Sequence, residues 1–375
     1  MKKVVILICS LVISVASAQT KGAPISIGDN YTINSKVLNQ DREIQIYLPD
    51  SYASSKEKYP VLYVLDGQWY FSSAVSIQNA LRTPDAIPEM IVVGIKRVSS
   101  RSRRTLFGND SAKFTSFLKD EVLPFIDSKF RTNKERIIFG WEAAAYYISE
   151  TILKEKDLFS GAIITDGGYA SEEIVKGFKS DTDVYLYMAN SKKDIFNITE
   201  TEAFNKVLKK NNPKNLRWKY ELFNDEVHET LGHLAMYKGI KYYYHNYDDL
   251  VFENLQQFEN LGGLNYLASY FKARTKRFGP DDKVEMGTKN ILVWSALNED
   301  NFNYFNSFVK EFEGILENKR HANAYWKNRL GHFYLKHKDY KNAKIFFETG
   351  LSKYPNSNFE AEMKKGLKEA TSKNK

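Results

Sequence analysis

The pattern of hydrophobic and polar positions divides the first two thirds of the chain into strands and helices. Two early segments, 31–38 and 42–49, alternate apolar and polar residues around a polar turn, which predicts an antiparallel hairpin. Continuous apolar runs follow, and such runs are typical of fully buried strands in a parallel sheet. The predicted buried strands are 59–67, 90–95, 136–140, 161–168, 183–190 and a last strand at 216–223.

Amphipathic stretches separate these strands. Between 111 and 130, Phe114, Phe117, Leu118 and Val122 fall on one face of a helix. Strands that alternate with helices predict an α/β fold, with a mostly parallel, right-handed sheet and helices on both faces.

From about residue 263 onward the pattern is helical only. The Gly262-Gly263 pair and the segment 278–282 mark the change. Segment 325–355 has the residue spacing of a 34-residue tetratricopeptide (TPR) repeat, and a looser partner lies around 285–320. The spacing is carried by Leu330, Gly331, Tyr334, Tyr340, Ala343, Phe347, Gly350 and Pro355. The predicted organisation is a leader at 1–18, an α/β domain at 19–262, a connection at 263–284 and a small all-α TPR-like domain at 285–375.

The first residues have the pattern of a cleaved secretory signal peptide. Lys2 and Lys3 precede an apolar run of about 12 residues and a small-residue site ending at Ala18. The run is shorter than the roughly 20 residues that a membrane span needs. We therefore expect export to the periplasm or the extracellular space. The single cysteine, Cys9, suggests lipoprotein cleavage as the alternative, although no small residue precedes it.

Charge and composition indicate whether the chain binds nucleic acid or spans a membrane. The formal net charge of +8 is spread thinly and accompanies no nucleic-acid motif, so it indicates solubility rather than nucleic-acid binding. We expect neither a nucleic-acid partner nor a membrane span in the mature chain. The 24 Phe and 24 Tyr residues predict a large core and aromatic surface patches.

The most informative stretch is 136–147, RIIFGWEAAAYY, where a buried strand and a glycine lead into a helix. The segment 117–141 resembles the approach to the nucleophile in the "putative esterase" family, which includes esterase D-like and enterobactin-type siderophore esterases. Supporting resemblances lie in order along about 30–260. They occur at 59–71, 91–105, 156–168 and 225–244. The resemblance implies an α/β-hydrolase fold and an ancestral carboxylic ester hydrolase.

The resemblance also assigns catalytic positions. The nucleophilic serine of the G-x-S-x-G elbow falls on Glu142, the general base on His228 and the triad acid on Asp194. The oxyanion donors would be backbone N–H groups near Gly67 and Gln68 and of Ala143.

Glu142 changes the expected chemistry. A carboxylate at neutral pH is a poor nucleophile toward an ester, and it repels the oxyanion that develops beside it. The sequence therefore favours a catalytically impaired esterase homologue that binds a ligand or partner. One alternative is an active ester hydrolase with an unorthodox site, for which Ser149 is the nearest hydroxyl. A second is an interaction protein in which the TPR-like region makes the contacts and the hydrolase domain is a scaffold.

Two geometric expectations follow for the elbow. Ala144 stands where the motif has its last glycine, which suggests that the turn has relaxed toward an ordinary helix start. A salt bridge between Glu142 and a protonated His228 is also predicted. Trp141 adds bulk beside the site and is a candidate ligand-binding residue.

Two further motifs carry candidate chemistry. Arg101, Arg103 and Arg104 follow the end of a buried strand, where α/β proteins place ligand crevices. They are candidates for binding a small anionic ligand, and a solvated basic loop is the alternative. The HETLGH motif spaces His228 and His233 five residues apart, which places them on different helix faces, so we expect no metal there and no cofactor elsewhere.

Overall fold

The computed structural model describes residues 24–83, 86–194, 196–279 and 283–373. The predicted leader at 1–18, including Cys9, lies outside these residues. No helix in the described part of the chain is long and apolar enough to traverse a bilayer.

Eight strands form a single mixed sheet, and each one overlaps a strand predicted from the sequence, with ends that differ by up to four residues. The sheet order is β1-β2-β4-β3-β5-β6-β7-β8, with antiparallel pairing at β1–β2 and β2–β4 and parallel pairing elsewhere. The strands are β1 (Asp29–Ser35), β2 (Gln40–Tyr47), β3 (Tyr59–Leu65), β4 (Ile91–Ile95), β5 (Thr132–Trp141), β6 (Gly161–Thr165), β7 (Val184–Ser191) and β8 (Leu216–Phe223).

Helices cover both faces of the sheet, which confirms the α/β prediction. One apolar core lies between the sheet and α1 with α8, and the other lies between the sheet and the remaining helices of this domain. The predicted helix at 111–130 is one helical path in which a π-helical segment, Phe117–Val122, joins α3 to α4. The helices are α1 (Gly67–Arg82), α2 (Ser100–Phe107), α3 (Ser111–Ser116), α4 (Leu123–Lys129), α5 (Ala143–Lys154), α6 (Glu172–Gly177), α7 (Ile198–Asn211) and α8 (His228–Tyr243). A short 3₁₀ turn, Asp50–Ala53, precedes β3.

The C-terminal part is all-helical and has an apolar core of its own. Its helices are α9 (Leu255–Asn260), α10 (Gly263–Phe278), α11 (Met286–Asn298), α12 (Phe302–Glu311), α13 (Ala324–Lys336), α14 (Tyr340–Lys353) and α15 (Glu360–Lys373). A 3₁₀ turn, Ile315–Glu317, follows α12. Gly331 allows α13 to approach α14 closely, because a Cβ at this position would lie 2.5 Å from the Phe347 ring. The TPR assignment and the domain boundaries stay predictions.

Helix α10 connects this region to the α/β domain. The Arg277 guanidinium stacks 3.8 Å from the ring centroid of Tyr185 and donates a hydrogen bond to the carbonyl of Tyr243. Phe278 packs against Tyr244, whose hydroxyl donates to Glu135 on β5. Burial raises the pKa of the Glu135 carboxyl to about 7.

Helix α8 begins at His228. Its close packing on the sheet depends on one glycine, Gly239. A Cβ at Gly239 would lie 2.6 Å from Cγ2 of the buried Ile163 on β6. We therefore expect Gly239→Ala to lower the free energy of unfolding by about 1–3 kcal/mol, measured by urea denaturation. Gly177→Ala is the matched helical control, since no atom lies within 4 Å of its added Cβ. Its stability should be unchanged or raised by up to about 1 kcal/mol, and equal losses in both variants would contradict this account of the packing.

Candidate active site

Four acidic side chains follow four neighbouring strands at the carboxyl edge of the sheet. Asp66, Glu142 and Asp166 come directly after β3, β5 and β6, and Asp194 comes three residues after β7. Ligand crevices in open α/β sheets lie outside this edge of the strands. The edge is therefore the candidate site, and its carboxyl groups determine its electrostatics.

The elbow at Glu142 is retained, so the expectation of a relaxed helix start is wrong. Glu142 has φ 55° and ψ −119°, a backbone conformation that costs a non-glycine residue of order 1–3 kcal/mol. Its N–H donates to the carbonyl of Thr165 on β6 at 3.0 Å, and its own carbonyl accepts from Ala145 at 2.8 Å. These bonds hold the turn from both sides.

Gly140 explains why an alanine is tolerated at the end of the motif. Ala144 is fully buried, and a Cβ placed on Gly140 would lie 2.9 Å from the Ala144 Cβ and 2.5 Å from Cδ1 of Ile148. The first glycine of the motif therefore supplies the space between strand and helix, and the turn does not need the second one.

Arg103 is the central cation of the site. Its Nε donates to both carboxylate oxygens of Asp66 at 3.0 and 2.8 Å, Nη1 donates to Glu142 Oε2 at 2.8 Å, and Nη2 donates to the Trp141 carbonyl at 2.9 Å. The arginine side chain is 6% exposed and that of Asp66 is 1% exposed. Burial raises the pKa of Asp66 above its usual value, and the charge of Arg103 opposes that shift.

The N-terminal cap of α2 aims Arg103 inward. Ser99 Oγ accepts from the N–H of Ser102, and the Ser102 hydroxyl lies 2.9 Å from the N–H of Ser99, which completes a capping box. Arg101 and Arg104 fall on the exposed side of the same helix. The predicted cluster of three arginines is thus divided, and one of them belongs to the site.

The predicted salt bridge between Glu142 and His228 is wrong, because each side chain has another partner. Glu142 pairs with Arg103, and His228 Nδ1 lies 2.6 Å from Asp194 Oδ2. The structure therefore brings together the base and acid that the resemblance implied. Their catalytic roles stay predictions.

Asp166 completes a chain of acidic groups beneath this histidine. One carboxylate oxygen of Asp166, one of Asp194 and one imidazole nitrogen of His228 all lie within 4.8 Å of one another. Burial raises the pKa of Asp166 to about 9, and the charge of Asp194 adds to this increase. Burial also tends to raise the pKa of Asp194, but hydrogen bonds from Asp166 and His228 outweigh it and lower that pKa. The 2.6 Å separation between His228 Nδ1 and Asp194 Oδ2 is that of a direct hydrogen bond between the two side chains.

The three predicted oxyanion donors lie at helix N-termini. Gly67 and Gln68 begin α1, and Ala143 begins α5. The first N–H groups of a helix have no partner within the helix, so they are available to an anionic oxygen. Gly67 is needed for a close approach to β4, because a Cβ there would lie 2.8 Å from the backbone of Gly94.

An aromatic row borders the entrance to the site. Trp69 and Trp141 make an edge contact with ring centroids 5.7 Å apart, and Trp141 lies 4.6 Å from the His228 ring. Phe196 follows at 6.1 Å on the other side of the histidine and is 74% exposed. The Arg97 guanidinium lies 4.0 Å from the Trp69 centroid. We call these four rings, Trp69, Trp141, His228 and Phe196, the aromatic mouth.

The remaining candidates lie outside the chemistry of the site. Ser149 is fully buried and its hydroxyl donates to the Ala145 carbonyl at 2.7 Å, so it does not replace the missing nucleophile. His233 packs against Tyr70 at 5.3 Å, whereas His228 contacts Asp194, so the HETLGH motif does not form a shared ligand set.

Sequence reasoning missed Asp66 and Asp166. Both follow a buried strand and precede a glycine, in LDG (65–67) and TDGG (165–168). Both have positive φ, 55° and 54°, which Asp tolerates better than most residues. An aspartate before glycine at the carboxyl end of a predicted parallel strand was the available signal.

Comparisons with known proteins agree with the fold of the α/β domain. Residues 35–165 match the sequence profile of the family described as "Putative esterase". The uncharacterized protein YbbA of Bacillus subtilis is 23% identical over 144 residues, which is 34% of this chain and 58% of that protein. The chain thus spans little more than half the length of this curated relative.

Two solved structures share the fold. A structure of an uncharacterised protein from Capnocytophaga ochracea superimposes with a TM-score of 0.63 at 16% identity, covering 92% of this chain and 99% of that one. An IroE-like serine hydrolase from Shewanella oneidensis gives 0.55 at 23% identity, covering 76% and 99%. At these identities the likeness shows the fold alone.

The Arg103 network generates a stability prediction. Arg103→Met leaves the buried Asp66 without its counter-charge, which should lower the free energy of unfolding by about 3–5 kcal/mol at pH 7 in urea denaturation. Arg104→Met removes the same charge from the exposed face of α2 and should change stability by no more than about 0.5 kcal/mol. A loss below about 1 kcal/mol in Arg103→Met would show that the ion-pair network does not hold the site together.

Proposed function

We propose that this chain, whose α/β domain belongs to the "Putative esterase" family of the α/β-hydrolase superfamily, is an impaired esterase homologue that binds an ester-like ligand at its aromatic mouth. The observation that carries the proposal is the ion pair between Glu142 and Arg103 at the tip of the elbow. A carboxylate occupies the position of the attacking hydroxyl, and a buried cation holds it there.

Electrostatics argues against acyl transfer by Glu142. The charge of Arg103, 2.8 Å from Oε2, draws electron density from the carboxylate and makes it a weaker nucleophile. Attack on an ester would form an anhydride, which is higher in energy than the ester. A negative charge at this position also repels the oxyanion that the N–H groups of α1 and α5 would otherwise stabilise.

The groups that surround Glu142 support ligand binding. His228 and Asp194 keep the geometry of a base and its orienting acid, and the elbow keeps its strained backbone. The mouth offers partly exposed rings, and Glu142 is 42% exposed with Oε1 facing no donor among the described residues. Every guanidinium nitrogen of Arg103 already donates within the protein, which favours a neutral ester over an anionic ligand.

A second candidate function is ester hydrolysis through an unorthodox site. The retained elbow at Glu142 favours it, because strain of this kind persists where a site still uses the conformation. A third function, protein binding through the TPR-like helices, stays a prediction without a specific observation in its favour.

Replacement of Glu142 by serine separates the first two functions. Purified wild-type protein should hydrolyse p-nitrophenyl butyrate at the background rate. Glu142→Ser should raise kcat/KM at least about 100-fold, since general-base assistance by a positioned histidine contributes about 10²–10⁴-fold. Glu142→Ala is the matched control and should remain at background. The double variant Glu142→Ser with His228→Ala should lose the gain.

Two results would contradict the proposal. Wild-type turnover that disappears in both Glu142→Ala and His228→Ala would identify an active enzyme with a carboxylate in its mechanism. A folded but inactive Glu142→Ser variant, with the urea midpoint of the wild type, would show that base and oxyanion donors no longer form a working site.

Export is proposed as the location of this function. The predicted signal peptide at 1–18 supports secretion across the inner membrane, with cleavage near Ala18. Intact-mass analysis of the protein recovered from a secreting bacterial host should give a chain that begins at Gln19. A chain that retains Met1 or is lipidated on Cys9 would overturn this assignment.

A further inference from the structure

Asp166 is a buried acidic residue to which the proposed function assigns no role. Its side chain is 0% exposed, and neither of its carboxylate oxygens has a donor in full hydrogen-bond geometry among the described residues. The indole nitrogen of Trp141 and the hydroxyl of Thr165, which face it, are also buried without a partner. An ionised carboxylate in this position would be an uncompensated buried charge.

One proton between the carboxyl groups of Asp166 and Asp194 removes the uncompensated charge. Asp194 is ionised and uses Oδ2 to contact His228 and Oδ1 to accept from the N–H of Phe196 at 3.3 Å. If Asp166 is protonated, its hydroxyl donates to the Asp194 carboxylate and its other oxygen faces Trp141 and Thr165. We infer that Asp166 is a positioning residue, which shares one proton with Asp194 and thereby holds the imidazole of His228 in a single tautomer.

The backbone fixes Asp166 for this role. It lies in a left-handed conformation at the end of β6, its N–H donates to the Ala189 carbonyl on β7 at 3.2 Å, and its carbonyl accepts from the Asn197 side chain at 2.8 Å. These bonds connect it to the segment that carries Asp194. The backbone positions that carry the two carboxyl groups are therefore tied together at the ends of β6 and β7.

The tautomer of His228 follows from which of its two ring nitrogens can donate a hydrogen bond to Asp194. An ionised Asp194 is an acceptor only, so Nδ1 carries the proton and Nε2 is the free acceptor. Loss of the Asp166 proton would place a second negative charge beside Asp194. Tyr70, which lies near Asp166, is a buried neutral phenol and does not compensate for this charge, and the other acidic groups near Tyr70 are Asp66 and Glu142. Arg103 already forms ion pairs with Asp66 and Glu142, so its charge is shared by those two carboxylates.

Nuclear magnetic resonance of ¹⁵N-histidine in the full-length wild-type protein tests the inference without any ligand. His228 is assigned from its missing signal in His228→Asn. We expect the Nδ1–H tautomer in the wild type and a shift of the His228 signal as pH passes about 9, the pKa of Asp166. Asp166→Ala removes the donor that orients the Asp194 carboxylate, so the hold of Asp194 on Nδ1–H should weaken and an Nε2–H population should appear. Asp166→Asn should restore the single tautomer, since its amide donates to Asp194, and should abolish the step near pH 9.

Thermal stability gives a second readout with a defined sign. The folded-state pKa of Asp166 lies above its ordinary value of 3.8, so folding takes up a proton between these values and stability falls as pH rises through this window. Asp166→Asn lacks this proton uptake. Its melting temperature relative to wild type should therefore increase between pH 5 and pH 9.

Three outcomes would overturn the inference. The first is a His228 tautomer and titration in Asp166→Ala that match those of the wild type. The second is a step near pH 9 that persists in Asp166→Asn, which would assign the proton to another group. The third is a shift of the wild-type His228 signal by equimolar zinc chloride that is lost in Asp166→Asn, which would identify a metal site. None of these readouts depends on ester hydrolysis, so they separate this inference from the proposed function.

Discussion

The arrangement of this site depends on one buried guanidinium between two strand ends. Arg103 joins Asp66 after β3 to Glu142 after β5, and it also binds the Trp141 carbonyl. Without this cation the edge of the sheet would carry neighbouring negative charges in a partly desolvated crevice, which electrostatics disfavours strongly. The same contact that stabilises the edge also makes Glu142 a poor nucleophile. In the proposed function, the stability of this edge and the loss of acyl-transfer chemistry have a common physical origin in the contacts of Arg103.

The charged side chains at the carboxyl edge of the sheet form two groups. Toward β4, Asp66 and Glu142 share the positive charge of Arg103. Toward β7, Asp166 and Asp194 lie beneath His228, where a proton rather than an arginine reduces the repulsion. Trp141 separates the two groups, with its carbonyl bonded to Arg103 and its indole facing Asp166. The base of the site is therefore held by buried polar contacts, and partly exposed rings lie at the mouth.

The strained backbone conformation at Glu142 is held by hydrogen bonds and packing around the turn. The turn at Glu142 is fixed by the hydrogen bond to Thr165, by the first turn of α5 and by the glycine at 140. None of these contacts involves the side chain of residue 142. The backbone geometry of the turn therefore does not depend on which side chain residue 142 carries.

The sequence by itself determined the strands, their order along the chain, the helical C-terminal region and the position of the elbow. These features follow from local periodicity and from residues close in the chain, as in the run from Ile137 to Tyr147. The family resemblance pointed to His228 and Asp194, which the structure brings into contact, and their catalytic roles stay predictions. Only the tertiary structure decided the partners of Glu142, the inward direction of Arg103 and the contact of Asp166 with Asp194. These contacts join residues 28 to 39 positions apart, which lie on α2 and at the ends of different strands. Their choice depends on sheet order, burial and the summed charge of the crevice, which local pattern does not encode.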